Sequence, residues 1–131
     1  MAELKNVHFE IDASGFAYCD PDWMTEALGN ILKNCVEHCE NGSIYVNASE
    51  NPIYSEFRIR DTGPGIAEQD LPHIFERFYK CKNTKTDSIG IGLALAKTII
   101  EEDKGTISVE SNKLETKNII KYNYDINVES N

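Results

Sequence analysis

Apolar positions recur along this chain with two periods, and the switches between them predict its elements. Trp23, Met24, Ala27, Leu28, Ile31, Leu32, Cys35, Val36 and Cys39 fall at helical spacing, so a long amphipathic helix is expected over about 22–40. Asp20 can cap it, Pro21 suits its first position, and Asn41-Gly42 stops it. Ile53, Ser55, Phe57, Ile59 and Asp61 alternate instead, which places them on one face of a strand over 53–61. Further strands are expected at 7–11, 16–19, 43–49, 106–111 and 118–126, the last from the alternation of Ile120, Tyr122, Tyr124 and Ile126. A second apolar helix is expected over 91–103, with short helical turns over 68–78.

The 53–61 strand ends in a carboxylate that shares the inward face with Phe57 and Ile59. A lone buried carboxylate is costly, so Asp61 needs a donor partner. The glycines of Asp61-Thr62-Gly63-Pro64-Gly65-Ile66 let backbone come close to one. Taken alone, such a turn is more often only a tight strand exit.

Two other segments carry candidate chemistry. On the long helix Glu26, Asn30 and Asn34 lie one turn apart on a stripe bordering the apolar face. Such amides are poor helix formers and fit either an exposed polar edge or an oxygen ligand for a hard cation such as Mg²⁺. Downstream, Ser88-Ile89-Gly90-Ile91-Gly92-Leu93-Ala94-Leu95-Ala96-Lys97 runs glycines into the second helix. Backbone N–H groups and the helix dipole favour an anion at such a start, although Gly-x-Gly before a helix is common.

Together these segments resemble the ATP-binding catalytic domain of sensor histidine kinases, within the wider group that includes gyrase, the Hsp90 chaperones and the mismatch-repair protein MutL. Asn30-Ile31-Leu32-Lys33-Asn34-Cys35-Val36-Glu37-His38 is similar to the family's N box, and Asp61-Thr62-Gly63-Pro64-Gly65 to its G1 box. Phe75-Glu76-Arg77-Phe78-Tyr79 is similar to its F box, and Gly90-Ile91-Gly92-Leu93 to its G2 box. Four motifs stand in family order, and the likeness fades after about Leu114.

The resemblance implies an α/β fold: a two-layer α/β sandwich whose mixed β-sheet is covered on one face by helices, the Bergerat-type ATP-binding fold. It implies Mg²⁺ and ATP as cofactors, with ATP between helices and a lid. Asp61 would accept from the adenine amino group, with Gly63, Gly65, Ile66 and Thr106 nearby. Asn34 would hold Mg²⁺, Asn30 would lie by metal and phosphates, and His38 by adenine or ribose. Gly90, Ile91, Gly92 and Leu93 would meet the phosphates, with Arg77 and Lys80 on the lid side. The implied reaction moves the γ-phosphoryl of ATP to a histidine on a separate dimerisation domain, for relay to a response regulator. The other branches of the group hydrolyse ATP with a Glu one turn before the metal-binding Asn, which Glu26-x-x-x-Asn30 could mimic in a shifted register. The small-residue and His tail of the box fits Asn34-Cys35-Val36-Glu37-His38 better, and the F box is a histidine-kinase feature.

Composition fits one domain over 1–131, enough for a single core. No apolar run approaches the roughly 20 residues of a membrane span, and no secretory signal opens the chain. Cys19, Cys35, Cys39 and Cys81 lack disulfide-framework or zinc-ribbon spacing; Cys35 and Cys39 are expected to be buried small residues. The net charge of −9 argues against nucleic acid and anionic membrane surfaces as partners. ATP is itself anionic, and Arg77, Lys80, Lys82 and Lys85 answer locally as candidate lid cations. The family relation implies a fragment of a larger, membrane-anchored and homodimeric kinase, itself monomeric and cytoplasmic.

Three departures qualify the likeness. Glu37 stands where the family often has a phosphate-touching Lys, which leaves open a nucleotide-binding regulatory module without phosphotransfer. Ser88 replaces a usual Gly. The final segment lacks the family's glycine-threonine turn, with Thr116 a doubtful stand-in. The outward sheet face, carrying Tyr45, Asn47, Arg58 and Arg60, is expected to meet solvent.

Overall fold

The computed structural model describes residues 8–13, 19–38, 42–79, 92–112 and 114–123. In chain order they form β1 (His8–Ala13), α1 (Pro21–His38), β2 (Ser43–Glu50), β3 (Tyr54–Asp61), a 3₁₀ turn (Leu71–His73), α2 (Gly92–Glu102), β4 (Gly105–Ser111) and β5 (Thr116–Asn123). The five strands make one sheet in the order β1-β2-β3-β5-β4. β1 runs parallel to β2, with α1 in the crossover between them, and the remaining pairs are antiparallel.

Local chemistry accounts for the element ends. Asp20 Oδ1 accepts from the backbone N–H of Asp22 at 2.9 Å and of Trp23 at 3.3 Å, which caps α1 as the sequence implies. Asn51 Oδ1 accepts from the N–H of Ile53 at 2.8 Å and of Tyr54 at 2.9 Å, closing a turn before β3. That turn corrects the expected strand start: Ile53 belongs to it and is 60% exposed. Trp23 departs in the same sense. It stands exposed because Met24, Ala27, Ile31 and Cys35 define the buried stripe, and Trp23 lies off its axis.

Both helices cover one sheet face. Ala27, Ile31 and Cys35 of α1 and Ala96, Ile99 and Ile100 of α2 meet Ile44, Ile59, Ile120 and Tyr122 from the sheet. The architecture is therefore a two-layer α/β sandwich over a mixed sheet. Burying these side chains supplies the main stabilisation, at roughly 25 cal/mol per Å² of apolar surface. At Gly105 the sheet and α2 approach so closely that a Cβ would lie 2.6 Å from the Tyr122 ring and 2.8 Å from Ile100. On the other face Arg60 lies 4.2 Å over the Tyr45 ring centroid and reaches Glu115 at 3.1 Å, while Arg58 meets Glu56 at 3.1 Å. Such half-exposed pairs contribute little stability and suit a solvated face.

β5 begins at Thr116, two residues before its expected start. Asn112 builds the preceding turn by accepting from Leu114 N–H at 2.8 Å and Glu115 N–H at 3.1 Å. Tyr124 and Ile126 lie outside the described residues, as does most of the strand expected at 16–19; Cys19 itself sits in a bend. Among the described residues no helix is long and apolar enough to cross a membrane.

Candidate functional site

Strand alternation brings Asp61 to the helix-covered face at the end of β3, where it is 5% exposed. Its carboxylate accepts from Gly63 N–H at 3.0 Å, a donor within the glycine turn itself. Gly65 has φ +80, and a Cβ there would stand 1.8 Å from the Asn112 carbonyl oxygen. Only glycine fits that approach. Next to it, Ile66 N–H donates to Ser111 Oγ at 2.7 Å, which ties the loop after β3 to the end of β4.

The β3–β5 register sets Thr116 directly opposite Asp61, and the β4–β5 register sets Ser111 opposite Thr116. Ser111 and Thr116 hydroxyls lie 2.9 Å apart. Asp61, Thr116 and Ser111 thus make a polar row at one end of the inward sheet face. Thr106 is not part of it. It pairs with Lys121 and is exposed on the far side of the sheet, because Gly105, Ile107, Val109 and Ser111 take the inward positions of β4. The expected helper at Thr106 is therefore misplaced, and Thr116 occupies the position beside Asp61. Starting β5 at Thr116 is the signal that would have found it.

Asn30 and Asn34 are half-buried on one stripe of α1. Gly92, the first residue of α2, lies against Asn30: a Cβ there would be 3.9 Å from the Asn30 Cβ and carbonyl oxygen. Asn30 Nδ2 is buried and has no hydrogen-bond partner. A buried donor left unpaired is rare and costly. Set beside a helix N-terminus, it suits an anionic acceptor. Leu93 is half-buried and packs against the core. His38 closes α1, and its side chain lies outside the described residues, as do Lys80, Gly90 and Ile91.

The segment after the glycine turn has its own organisation. Asp70 is 2% exposed and accepts from the Tyr79 hydroxyl, whose ring stacks on His73 at 5.0 Å. His73 Nδ1 lies 2.7 Å from Glu76. Arg77 is exposed, with its guanidinium 6.0 Å from the Phe78 ring centroid. The burial of Asp70 was not expected from the sequence. Among the described residues the clear pKa shifts lie at the other end of the layer: burial raises Tyr122, and burial followed by Asp103 and Asp20 raises Cys19.

The donor set fits Mg²⁺ in one manner. No group of three His, Cys, Asp or Glu side chains that could hold a metal occurs among the described residues. A single amide oxygen from Asn34 suits an ion that keeps water and phosphate oxygens as most of its ligands.

Known proteins carry the same organisation. Residues 19–124 match the family model described as histidine kinase-, DNA gyrase B- and HSP90-like ATPase. The chain is 32% identical over 106 residues to the sensor histidine kinase YclK of Bacillus subtilis, covering 78% of this chain and 22% of that protein. It is 36% identical over 107 residues to the sensor protein SrrB of Staphylococcus aureus, covering 73% of this chain and 18% of that protein. The chain thus spans about a fifth of the length of these curated relatives. Among solved structures, the mycobacterial sensor histidine kinase MprB superposes with a TM-score of 0.81 at 24% identity, over 90% of this chain and 84% of that one, which shows the shared fold. By sequence and by architecture, the chain belongs to the histidine kinase-, DNA gyrase B- and HSP90-like ATPase family.

Proposed function

We propose that this chain is the cytoplasmic catalytic domain of a two-component sensor histidine kinase, binding Mg·ATP and passing the γ-phosphoryl to a histidine on a separate dimerisation domain. The names of its relatives support the kinase branch of the family. One observation carries the reading: Asn30, whose buried amide nitrogen has no partner, packs against Gly92 at the start of α2, which puts a spare donor and a helix terminus in one neighbourhood suited to phosphate.

In this reading Asp61 accepts from the adenine amino group, Gly63 fixes its carboxylate, and Thr116 and Ser111 fill the polar row beside it. Asn34 holds Mg²⁺, which neutralises phosphate charge when bound. Asn30 positions the phosphates, and Arg77 and Lys80 approach from the lid side, with Gly90 and Ile91 leading into α2. The P–O bond to ADP breaks as a P–N bond to the incoming imidazole forms, and the ring gives up a proton. The chain contributes positioning and charge neutralisation, which dominate phosphoryl transfer. In the preferred register Asn30, not a carboxylate, occupies the place of the water-activating base, so ATP is spared hydrolysis until the acceptor histidine arrives.

The test is incubation of the chain with γ-labelled ATP, alone and with the dimerisation domain of its parent kinase supplied separately. Alone it binds ATP and stays unlabelled; with the acceptor domain an acid-labile, base-stable label appears on that domain. Labelling of His8, His38 or His73 would overturn this reading, and ATP binding with no transfer would favour a regulatory nucleotide-binding module.

A further inference from the structure

We propose that Asn118 is a second base-reading residue, taking one hydrogen of a 6-amino purine while Asp61 takes the other. This rests on the nucleotide reading above and extends it to a residue that none of the four motifs contains. The inward face of β5 runs Thr116, Asn118, Ile120, Tyr122. Asn118 pairs with Ile59 on β3 and with Val109 on β4, so its neighbours across the sheet have side chains that cannot hydrogen-bond. It is 3% exposed, and its Oδ1 is buried without a partner.

A core position between Ile59 and Val109 asks for an apolar side chain. The amide oxygen there has neither water nor a partner, a cost that calls for an explanation. The orphan atom is an acceptor, and it lies one row in from the Asp61–Thr116 pair on the same face. Diagonal neighbours on one sheet face stand about 7–8 Å apart, a gap that one exocyclic amine can bridge, directly or through one buried water. Such an amine carries two hydrogens, and Asp61 and Asn118 present one acceptor side each. Guanine, which offers a carbonyl at that position, has no hydrogen for the Asp61 carboxylate and is disfavoured there.

Calorimetry on the full chain tests this with three probes: ADP, GDP and purine riboside 5′-diphosphate, which lacks the amine. Asn118→Leu is expected to weaken ADP binding about tenfold, the worth of one net hydrogen bond, and purine riboside diphosphate less than about twofold. Its melting temperature without nucleotide should equal or exceed that of the parent chain, because the orphan amide is gone. Asn118→Val, smaller and well suited to a strand, guards against overpacking and should show the same selectivity. ADP affinity within twofold of the parent chain in both variants would overturn the proposal. So would equal losses for ADP and purine riboside diphosphate, which would make Asn118 a packing residue. If the unmodified chain bound no ADP, the nucleotide reading would fall and this one with it.

Discussion

Thr116 stands directly across the β3–β5 ladder from Asp61, both side chains inward and both more than nine-tenths buried. The pairing gives the carboxylate a hydroxyl neighbour that continues, through a 2.9 Å contact, to Ser111. A row of this kind keeps a buried charge tolerable while leaving it able to accept a ligand's hydrogen bond.

Asp61→Asn should preserve the fold, because its amide oxygen can still accept from Gly63 N–H. Loss of charge assistance is expected to weaken ADP binding by roughly tenfold to a hundredfold. Calorimetry giving near-parental affinity would remove Asp61 from the base site.

The two threonines separate the sheet faces. Thr116→Val should weaken ADP binding several-fold and cost about 1 kcal/mol of stability through the lost Ser111 contact. Thr106→Val, on the outward face, should change neither beyond error. Equal effects in titration and melting would contradict the register.

Asn34→Ala should abolish the Mg²⁺ dependence of ATP binding while leaving adenosine recognition nearly intact, because the role proposed for the amide is at the phosphate end. A normal Mg²⁺ titration in the variant would make Asn34 a structural amide and the chosen helix register wrong.

Gly65→Ala combines a left-handed backbone, costing about 1–2 kcal/mol for a residue with a side chain, with a clash against the Asn112 carbonyl. Chemical denaturation should show a loss of more than about 2 kcal/mol. A loss under about 0.5 kcal/mol would show that the two loops can part freely.

Burial, with Asp103 and Asp20 adding to it, holds the Cys19 thiol above its ordinary value. The folded chain therefore keeps that proton more tightly than the unfolded one, so this contribution to stability is full below the unfolded thiol value and fades as pH rises through the folded one. Iodoacetamide at pH 8 should modify Cys19 slowly, and Asp103→Asn, which removes a neighbouring negative charge, should speed it. Peptide mass spectrometry reads the rate; a slower reaction in the variant would reverse the assigned cause.

Much of this was legible in the sequence because it rests on local periodicity and caps. The α1 stripe, the Asp20 cap and the inward Asp61 follow from spacing alone. Thr116 was harder. Its role depends on where β5 starts, and that is set by the Asn112 turn, which replaces a glycine-threonine turn with side-chain acceptance of two N–H groups. Thr106 was misassigned for a related reason: a single position decides the face of a strand residue, and Gly105, not Thr106, takes the first inward place in β4. Asn118 is buried beside Ile59, a neighbour far off in sequence that no window along the chain contains.

The contact of Gly65 with Asn112 makes two loops, nearly fifty residues apart, a single machined joint. A designer who lengthened the β4–β5 turn, or grafted a relative's turn into it, would be redrawing the wall beside Asp61 without touching any of the four motifs. Chimeras in this fold should therefore exchange the stretch 61–66 together with 111–116, or neither.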